Sequence, residues 1–486
     1  MKKTKSQKIL KWATSDYFKN AVVYVINFII IAFLFVAAVK FNITDFNEYF
    51  SNITSFLHFL TMLILVLGMM ALYFAFEERD FMKNAVNSEM LFLILELSLV
   101  VCYVAGRYVN IYLRPLALVT VLTLFLANRR TAIFMNVIFC VIIFLFDSFS
   151  GTSFSVGNYP ALIMGFTSGM IACFCLDKVN SRLKILNMSL IVSLPTLLCV
   201  VMTVIENGDE NIIASLICGA CSGPLTVSAF LILLPLFEAG FKKVSYFKYA
   251  ELTDHKAKLI RKMIQQAPGT FNHSIVVSNI AEACATAINE DAMLARTCAY
   301  YHDIGKLRRP EFFTENKADG INPHDDLTPE LSANIIKSHT LDGYNLIIKS
   351  RLPKEIADAS VQHHGTLPIL YFYNKAQKFT DGEVDIAQYC YTGPKPQTKI
   401  AAIIMIADSC EAAVRTLKER SRENVKSVVR KIVNDRMALG QFEECEITLK
   451  ELNIIMHTVV NNLTGIYHGR IEYPKVSLDG LQISDE

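Results

Sequence analysis

The chain is 486 residues long, 52% of them hydrophobic and 19% charged, with a formal net charge of +2 and a mean hydropathy of +0.35. This composition excludes a secreted disulfide scaffold, a disordered tail protein and a purely cytosolic enzyme, and a near-balanced charge gives no support to a surface that coats nucleic acid. The apolar excess is uneven: residues 21–241 hold 23 Asp, Glu, Lys and Arg, whereas residues 242–486 hold 62.

In chain order, residues 1–20 form a basic tail with Lys2, Lys3, Lys5, Lys8, Lys11 and Lys19. Residues 21–241 then read as a membrane domain of about eight helices, since a span needs ~20 apolar residues. The runs are Ala21–Phe41, Ser55–Phe76, Met90–Gly106, Leu113–Ala127, Ala132–Phe146, Tyr159–Leu176, Ile185–Ile205 and Ile212–Phe241. The fourth is short and the last is long. Basic residues gather in alternate loops, at Arg79 and Lys83, at Arg129 and Arg130, at Lys178, Arg182 and Lys184, and at Lys242 and Lys243. Because Lys and Arg favour the cytosolic side, both termini are expected there. Arg107 and Arg114 make one loop ambiguous. Glu96 and Glu238 are the ionisable residues nearest the lipid; Glu96 reads as a carboxylate paired or protonated inside the bundle, with a residue lining a ligand pocket between helices as the alternative, and Glu238 as structural.

From residue 242 the pattern is helical almost throughout. Residues 242–266 read as an amphipathic connector, broken by Pro268-Gly269. Residues 267–470 form a helical bundle, with periodicity over Thr270–Ile288, Asp291–Ile304, Pro329–Lys349, Pro353–His363, Thr398–Glu419, Glu423–Met437 and Ile447–Ile466. Thr380–Gln397 is a long loop, and residues 471–486 are a tail. The fold class is all-α, a polytopic membrane domain followed by a helical soluble domain. Of the twelve cysteines, Cys173 with Cys175 and Cys218 with Cys221 in the apolar half read as packing residues rather than a zinc site, and the five of the soluble half lack metal-ligand spacing and fit a reducing compartment.

Seven of the ten histidines lie between His255 and His364. His302-Asp303 and His363-His364 are doublets, with His273 upstream, His339 between and Asp408 downstream. Five imidazoles and two carboxylates on separate helices can converge in a bundle core. The donor set favours iron or manganese over structural zinc, and seven ligands suit two ions that share a carboxylate. Two metals polarise a phosphoryl group and activate water, so phosphoester hydrolysis is the chemistry such a set serves.

His302-Asp303 with Gly305-Lys306 resembles the HD superfamily of metal-dependent phosphohydrolases. The stretches Ala267-Pro-Gly-Thr-Phe-Asn-His273-Ser, Asn322-Pro-His-Asp325, His363-His-Gly-Thr366, Tyr371-Phe-Tyr373 and Gly393-Pro-Lys-Pro-Gln397 narrow the likeness. With the preceding spans, they resemble the seven-transmembrane HD receptors, the PgpH-type phosphodiesterases of bacteria. The resemblance implies a cytosolic HD domain on a multi-pass protein of the bacterial cell membrane, hydrolysing cyclic di-AMP to pApA with two divalent metals, Mn or Fe. It implies one metal on His273, His302, Asp303 and Asp408, and a second on Asp303, His339, His363 and His364, with Asp303 bridging. Its partners would be the dinucleotide and the bilayer, with no nucleic-acid polymer, and a homodimer is left open.

Two departures stand out. The family usually carries a large extracytoplasmic domain between the first two spans, where this chain has only Asn42–Thr54, and it commonly has a histidine pair where this chain reads Asn272-His273. Lys306 is placed to neutralise a phosphate oxygen. Tyr371 and Tyr373 are candidates to stack on adenine, and Arg308 to attract the dianionic substrate. Alternative readings are a cyclic di-GMP phosphodiesterase, for which the Gly-Tyr-Pro signature is missing after His364, and a non-catalytic nucleotide-binding membrane receptor. A transporter fits poorly, because no matching broken helices are evident.

Overall fold

The computed structural model describes residues 16–41, 53–79, 84–149, 159–176, 181–207, 211–316, 322–379 and 383–466. The expected basic tail up to Lys11, most of the Asn42–Thr54 loop and the tail 471–486 lie outside the described residues. The chain divides into two compact units, Met1–Ser245 and Tyr246–Glu486. Both are helical, and the described residues contain no strand beyond an isolated bridge between Pro368 and Cys390.

The first unit holds α1 (Asp16–Phe41), α2 (Ile53–Phe76), α3 (Ala85–Tyr108), α4 (Leu118–Leu126), α5 (Arg129–Phe149), α6 (Tyr159–Cys175), α7 (Arg182–Asn207) and α8 (Ile212–Phe241). Six of these, α1, α2, α3, α5, α7 and α8, are long and apolar enough to cross a membrane. At ~1.5 Å per residue the nine residues of α4 cannot span a ~30 Å hydrocarbon core alone. They are instead packed inside the unit, with Leu118, Val119, Val121 and Leu122 buried. The fourth apolar run is thus a buried helix introduced by a 3-10 turn at Ile111–Leu113.

The ambiguous loop charge also finds its explanation. Arg114 is buried and donates to both carboxylate oxygens of Asp147 on α5, at 3.0 and 2.7 Å. Its guanidinium lies against Gly106 of α3, where a Cβ would come within 2.2 Å of Arg114 Nε. Arg114 is therefore an internal counter-ion rather than a loop charge that reports orientation. Glu96 is buried on α3, and Glu238 accepts from the Ser245 amide just past the end of α8.

The second unit begins with two helices, α9 (Tyr246–Leu252) and α10 (Lys258–Gln266), not the single connector expected. The interruption has a local cause: Asp254 accepts the Lys256 amide through its side chain and the Ala257 amide through its carbonyl, closing a turn. There follow α11 (Pro268–Ala287), α12 (Ala292–Tyr301), a 3-10 turn at Ile304–Arg308, α13 (Pro329–Lys349), α14 (Lys354–Gln362), α15 (Leu370–Phe379), α16 (Lys399–Arg415), α17 (Arg422–Ala438) and α18 (Leu449–Ile466). Caps define the ends as the residue types dictate: Asp291, Thr328, Thr398 and Ser421 each accept a first-turn amide, and Pro268 and Pro329 open their helices. The core is organised around α16, which is buried from Ile400 to Asp408 and packs against α11, α12, α14, α17 and α18. A residue on its buried face consequently meets several helices at once.

Candidate metal centre

The expected ligands converge in the second unit. His273 comes from α11, His302 and Asp303 follow α12, His339 lies on α13, His363 and His364 follow α14, and Asp408 lies on α16. All are buried except His364, which is partly exposed. They form three overlapping groups, each with ligand atoms within 4.8 Å of one another: His273, His302 and Asp408; His302, Asp303 and His363; His339, His363 and His364.

Two glycines permit this convergence. Gly305 lies flat against α13, where a Cβ would approach the His339 carbonyl oxygen to 1.9 Å. This contact brings the His302-Asp303 turn beside His339. Gly365 takes a left-handed conformation (φ +50°) after the second doublet, and Gln441 locks that turn by accepting the Thr366 amide and donating to its hydroxyl.

Asp303 is at the centre. Its Oδ2 lies 3.3 Å from His302 Nε2 and 3.7 Å from His273 Nε2, while Oδ1 lies 3.3 Å from His339 Nε2 and 3.7 Å from His363 Nε2. Asp408 Oδ1 is 3.0 Å from His273 Nε2, and His364 Nδ1 is 3.8 Å from Asp408 Oδ2. Asp303 Oδ1 and His302 Nε2 are buried with no hydrogen-bond partner among the described residues. Two acceptor nitrogens, Nε2 of His339 and of His363, stand 3.3 Å apart. Unsatisfied acceptors turned on one another are costly unless a cation sits among them, so this donor set fits divalent metal.

The electrostatics agree. Burial opposes ionisation of Asp303, but the Lys306 ammonium and the His302 ring outweigh it and hold its carboxyl well below the usual range. Asp408 is likewise held low against its burial, chiefly by the hydrogen bond from His273. Burial pushes His363 down to about 4, and burial with the neighbouring His363 depresses His364 further than usual for an imidazole, so both rings are neutral ligands at pH 7. Burial would also lower His273, but contacts with Asp408 and Glu411 raise it to about 10. Binding a cation there must therefore release a proton.

Lys306 is buried between two carboxylates, 2.7 Å from Asp303 Oδ2 and 2.7 Å from Glu315 Oε1. The remaining candidates lie elsewhere. Arg308 is exposed and paired with Asp342 in a surface cleft of about 430 Å³ whose lining includes none of the seven ligands. Tyr371 is 68% exposed. Tyr373 packs on a cluster of Ala333, Phe372, Ala376 and Tyr389, and its hydroxyl accepts from Gln377. The Asn322–Asp325 stretch is tied down structurally, with His324 bonded to the Phe312 carbonyl and its ring against Phe312 and Phe372.

Three site residues escaped the sequence reading. Glu411 sits one turn beyond Asp408 and meets His273 Nδ1 at 2.5 Å. Glu315 holds Lys306, and Tyr391 stacks on His364 with ring centroids 4.4 Å apart. Only Glu411 had a usable signal, its i+3 spacing from a ligand on one helix face.

The fold and site define a polytopic membrane protein that carries an HD domain. Two family models match, a 7TM receptor with intracellular HD hydrolase over residues 53–245 and the HD domain over residues 270–413, and the chain belongs to this family of seven-transmembrane HD receptors. It is 38% identical over 409 residues to the cyclic-di-AMP phosphodiesterase PgpH of Bacillus subtilis, covering 83% of this chain and 56% of that protein. It is 38% identical over 371 residues to the PgpH of Listeria monocytogenes, covering 75% and 50%. The chain thus spans about half the length of the curated relatives it matches. A crystal structure of the L. monocytogenes PgpH HD domain in complex with cyclic-di-AMP is 49% identical, covering 44% of this chain and 99% of that one, with a TM-score of 0.42.

Proposed function

We propose that the protein is a membrane-tethered, metal-dependent phosphodiesterase that hydrolyses cyclic di-AMP to pApA, with its N-terminus and HD unit in the cytosol. The observation that carries this reading is the central carboxylate of Asp303, whose two oxygens face different sets of imidazoles. The names of the PgpH relatives supply the substrate. In this reading the chain comprises a tail (1–20), a membrane domain (21–241), a connector (242–266), the HD domain (267–470) and a second tail (471–486).

His273, His302 and Asp408 would hold one ion and His339, His363 and His364 the other, with Asp303 shared; manganese or iron suits these donors. When bound, such a pair polarises a phosphoryl oxygen and lowers the pKa of water at neutral pH. The chain's own residues supply the rest. Water adds to phosphorus, the P–O3′ bond breaks, and the released O3′ takes up a proton, leaving a linear dinucleotide with a 5′-phosphate. Lys306, fixed by Asp303 and Glu315, offers its ammonium to charge that develops on a phosphate oxygen. Tyr371 presents an exposed ring for adenine, whereas Tyr373 and Arg308, each engaged by a neighbour, would contribute to substrate binding only by exchanging that partner.

The test is turnover by the full chain in detergent, loaded anaerobically with manganese or iron, with cyclic di-GMP and pApA in parallel. The reading expects metal-dependent pApA from cyclic di-AMP, with cyclic di-GMP slower. Equal or faster use of cyclic di-GMP would overturn the substrate assignment, and no product from either would overturn the enzyme.

A further inference from the structure

Each of the five histidines turns one ring nitrogen into the site, and what holds the other differs. Nδ1–H of His302, His339 and His363 donates to the carbonyl three residues earlier, of Ala299, Ile336 and Ser360, at 2.7, 2.6 and 2.8 Å. A carbonyl can only accept, so these rings carry their proton on Nδ1 and leave Nε2 free. His364 turns Nδ1 inward and rests its ring on Tyr391. His273 is backed by a charge, with Nδ1 2.5 Å from Glu411 Oε2 while Nε2 meets Asp408 at 3.0 Å. Glu411 is 2% exposed, so little water screens this contact.

The two metal positions therefore differ in charge. That of His273, His302 and Asp408 adds the carboxylates of Asp408 and Glu411 to its share of Asp303, against the single Lys306 ammonium on Asp303 Oδ2. That of His339, His363 and His364 has the shared Asp303 and only the 3.8 Å approach of Asp408 Oδ2 to His364, with no carboxylate behind any of its rings. A carboxylate behind a ligating imidazole fixes its tautomer and raises its basicity, and losing one typically costs 10–100-fold in metal affinity.

We infer that Glu411 is a positioning residue that makes the two metal positions unequal, so that the position built on His273, His302 and Asp408 fills first and holds its ion more tightly. This rests on the two-metal reading above. The same carboxylate lies 3.9 Å from Arg415, so a purely structural role would show in the melting temperature, not in one binding step.

The test is a manganese titration of the full chain in detergent, stripped by chelation, followed by calorimetry and by electron paramagnetic resonance of free Mn(II). The wild type is expected to bind two ions in separate steps. Glu411→Gln is expected to weaken the tight step by about 10–100-fold while sparing the weak one. Glu411→Asp, which keeps the charge one methylene further back, is expected to weaken the same step less, and it serves as the readout if the glutamine variant does not fold. Two equal steps in the wild type, or a Glu411→Gln variant with both steps unchanged or equally weakened, would overturn the inference. A wild type that takes up no manganese would overturn the two-metal reading itself, and that result is read before any variant is made.

Discussion

In the membrane unit many apolar side chains face outward: Phe33, Leu65 and Ile232 are each more than 60% exposed. In the HD unit their counterparts on α16, from Ile400 to Ile406, are fully or nearly fully buried. The buried charges differ just as sharply. Arg114 and Asp147 close on each other inside the membrane unit through two hydrogen bonds. Asp303 and Asp408 face several imidazoles at once, with Lys306 a further partner of Asp303. A buried carboxylate met by a guanidinium maintains a fold, whereas carboxylates that converge with several imidazoles leave room for a cation. The contrast assigns packing to the first unit and chemistry to the second.

The most drastic way to break that contrast is Asp303→Ala. It removes the shared carboxylate and is expected to reduce cyclic di-AMP turnover to the level of the metal-free protein, with helical content unchanged by circular dichroism. The membrane counterpart is Arg114→Leu, which takes the guanidinium away from the buried Asp147. It is expected to cost about 3–5 kcal/mol in the first unit, seen as an earlier thermal transition in detergent, and the double variant with Asp147→Leu should recover most of the loss. Both ions should stay bound throughout, since none of the ligands lies in that unit. Lys306→Met sharpens the picture within the site: turnover should fall by roughly 10²-fold with both ions retained by elemental analysis. A loss of metal instead would make Lys306 a structural partner of Asp303.

The smallest effect concerns Lys399, which ties α16 to Glu290 and Glu451 at 3.3 and 2.6 Å. Hydrogen bonds from Lys399 and from the Thr448 amide lower the Glu451 carboxyl to about 2. Its folded value lies below its ordinary one, so the stabilisation is present above pH 4.5 and is lost as the pH falls towards 2. Glu451→Gln should lower stability at pH 7 by less than about 1 kcal/mol. Denaturant midpoints should show that difference shrinking as the pH drops from 5 to 3.

Much of this was legible in the sequence because histidine is rare and chemically distinct. Seven candidate ligands on five separate segments could be picked out by residue type, and hydropathy marked the membrane helices. Glutamate is common, so Glu315 carried no mark of its own and Glu411 only its i+3 spacing from Asp408, and Tyr391 lay in a loop whose path only the tertiary fold determines. The α9–α10 break was missed because a side-chain turn at Asp254 overrode the amphipathic pattern. Arg114 left its loop ambiguous because its partner lies 33 residues away on another helix. Local periodicity contains no information about such pairings.

The most direct test of the account is to quantify metal and turnover on the same preparations of the full chain as manganese is added back to the stripped protein. The account predicts about two ions per chain at saturation, with pApA formation rising only as the second ion binds. Turnover without metal, or two bound ions with no hydrolysis of cyclic di-AMP, would contradict it.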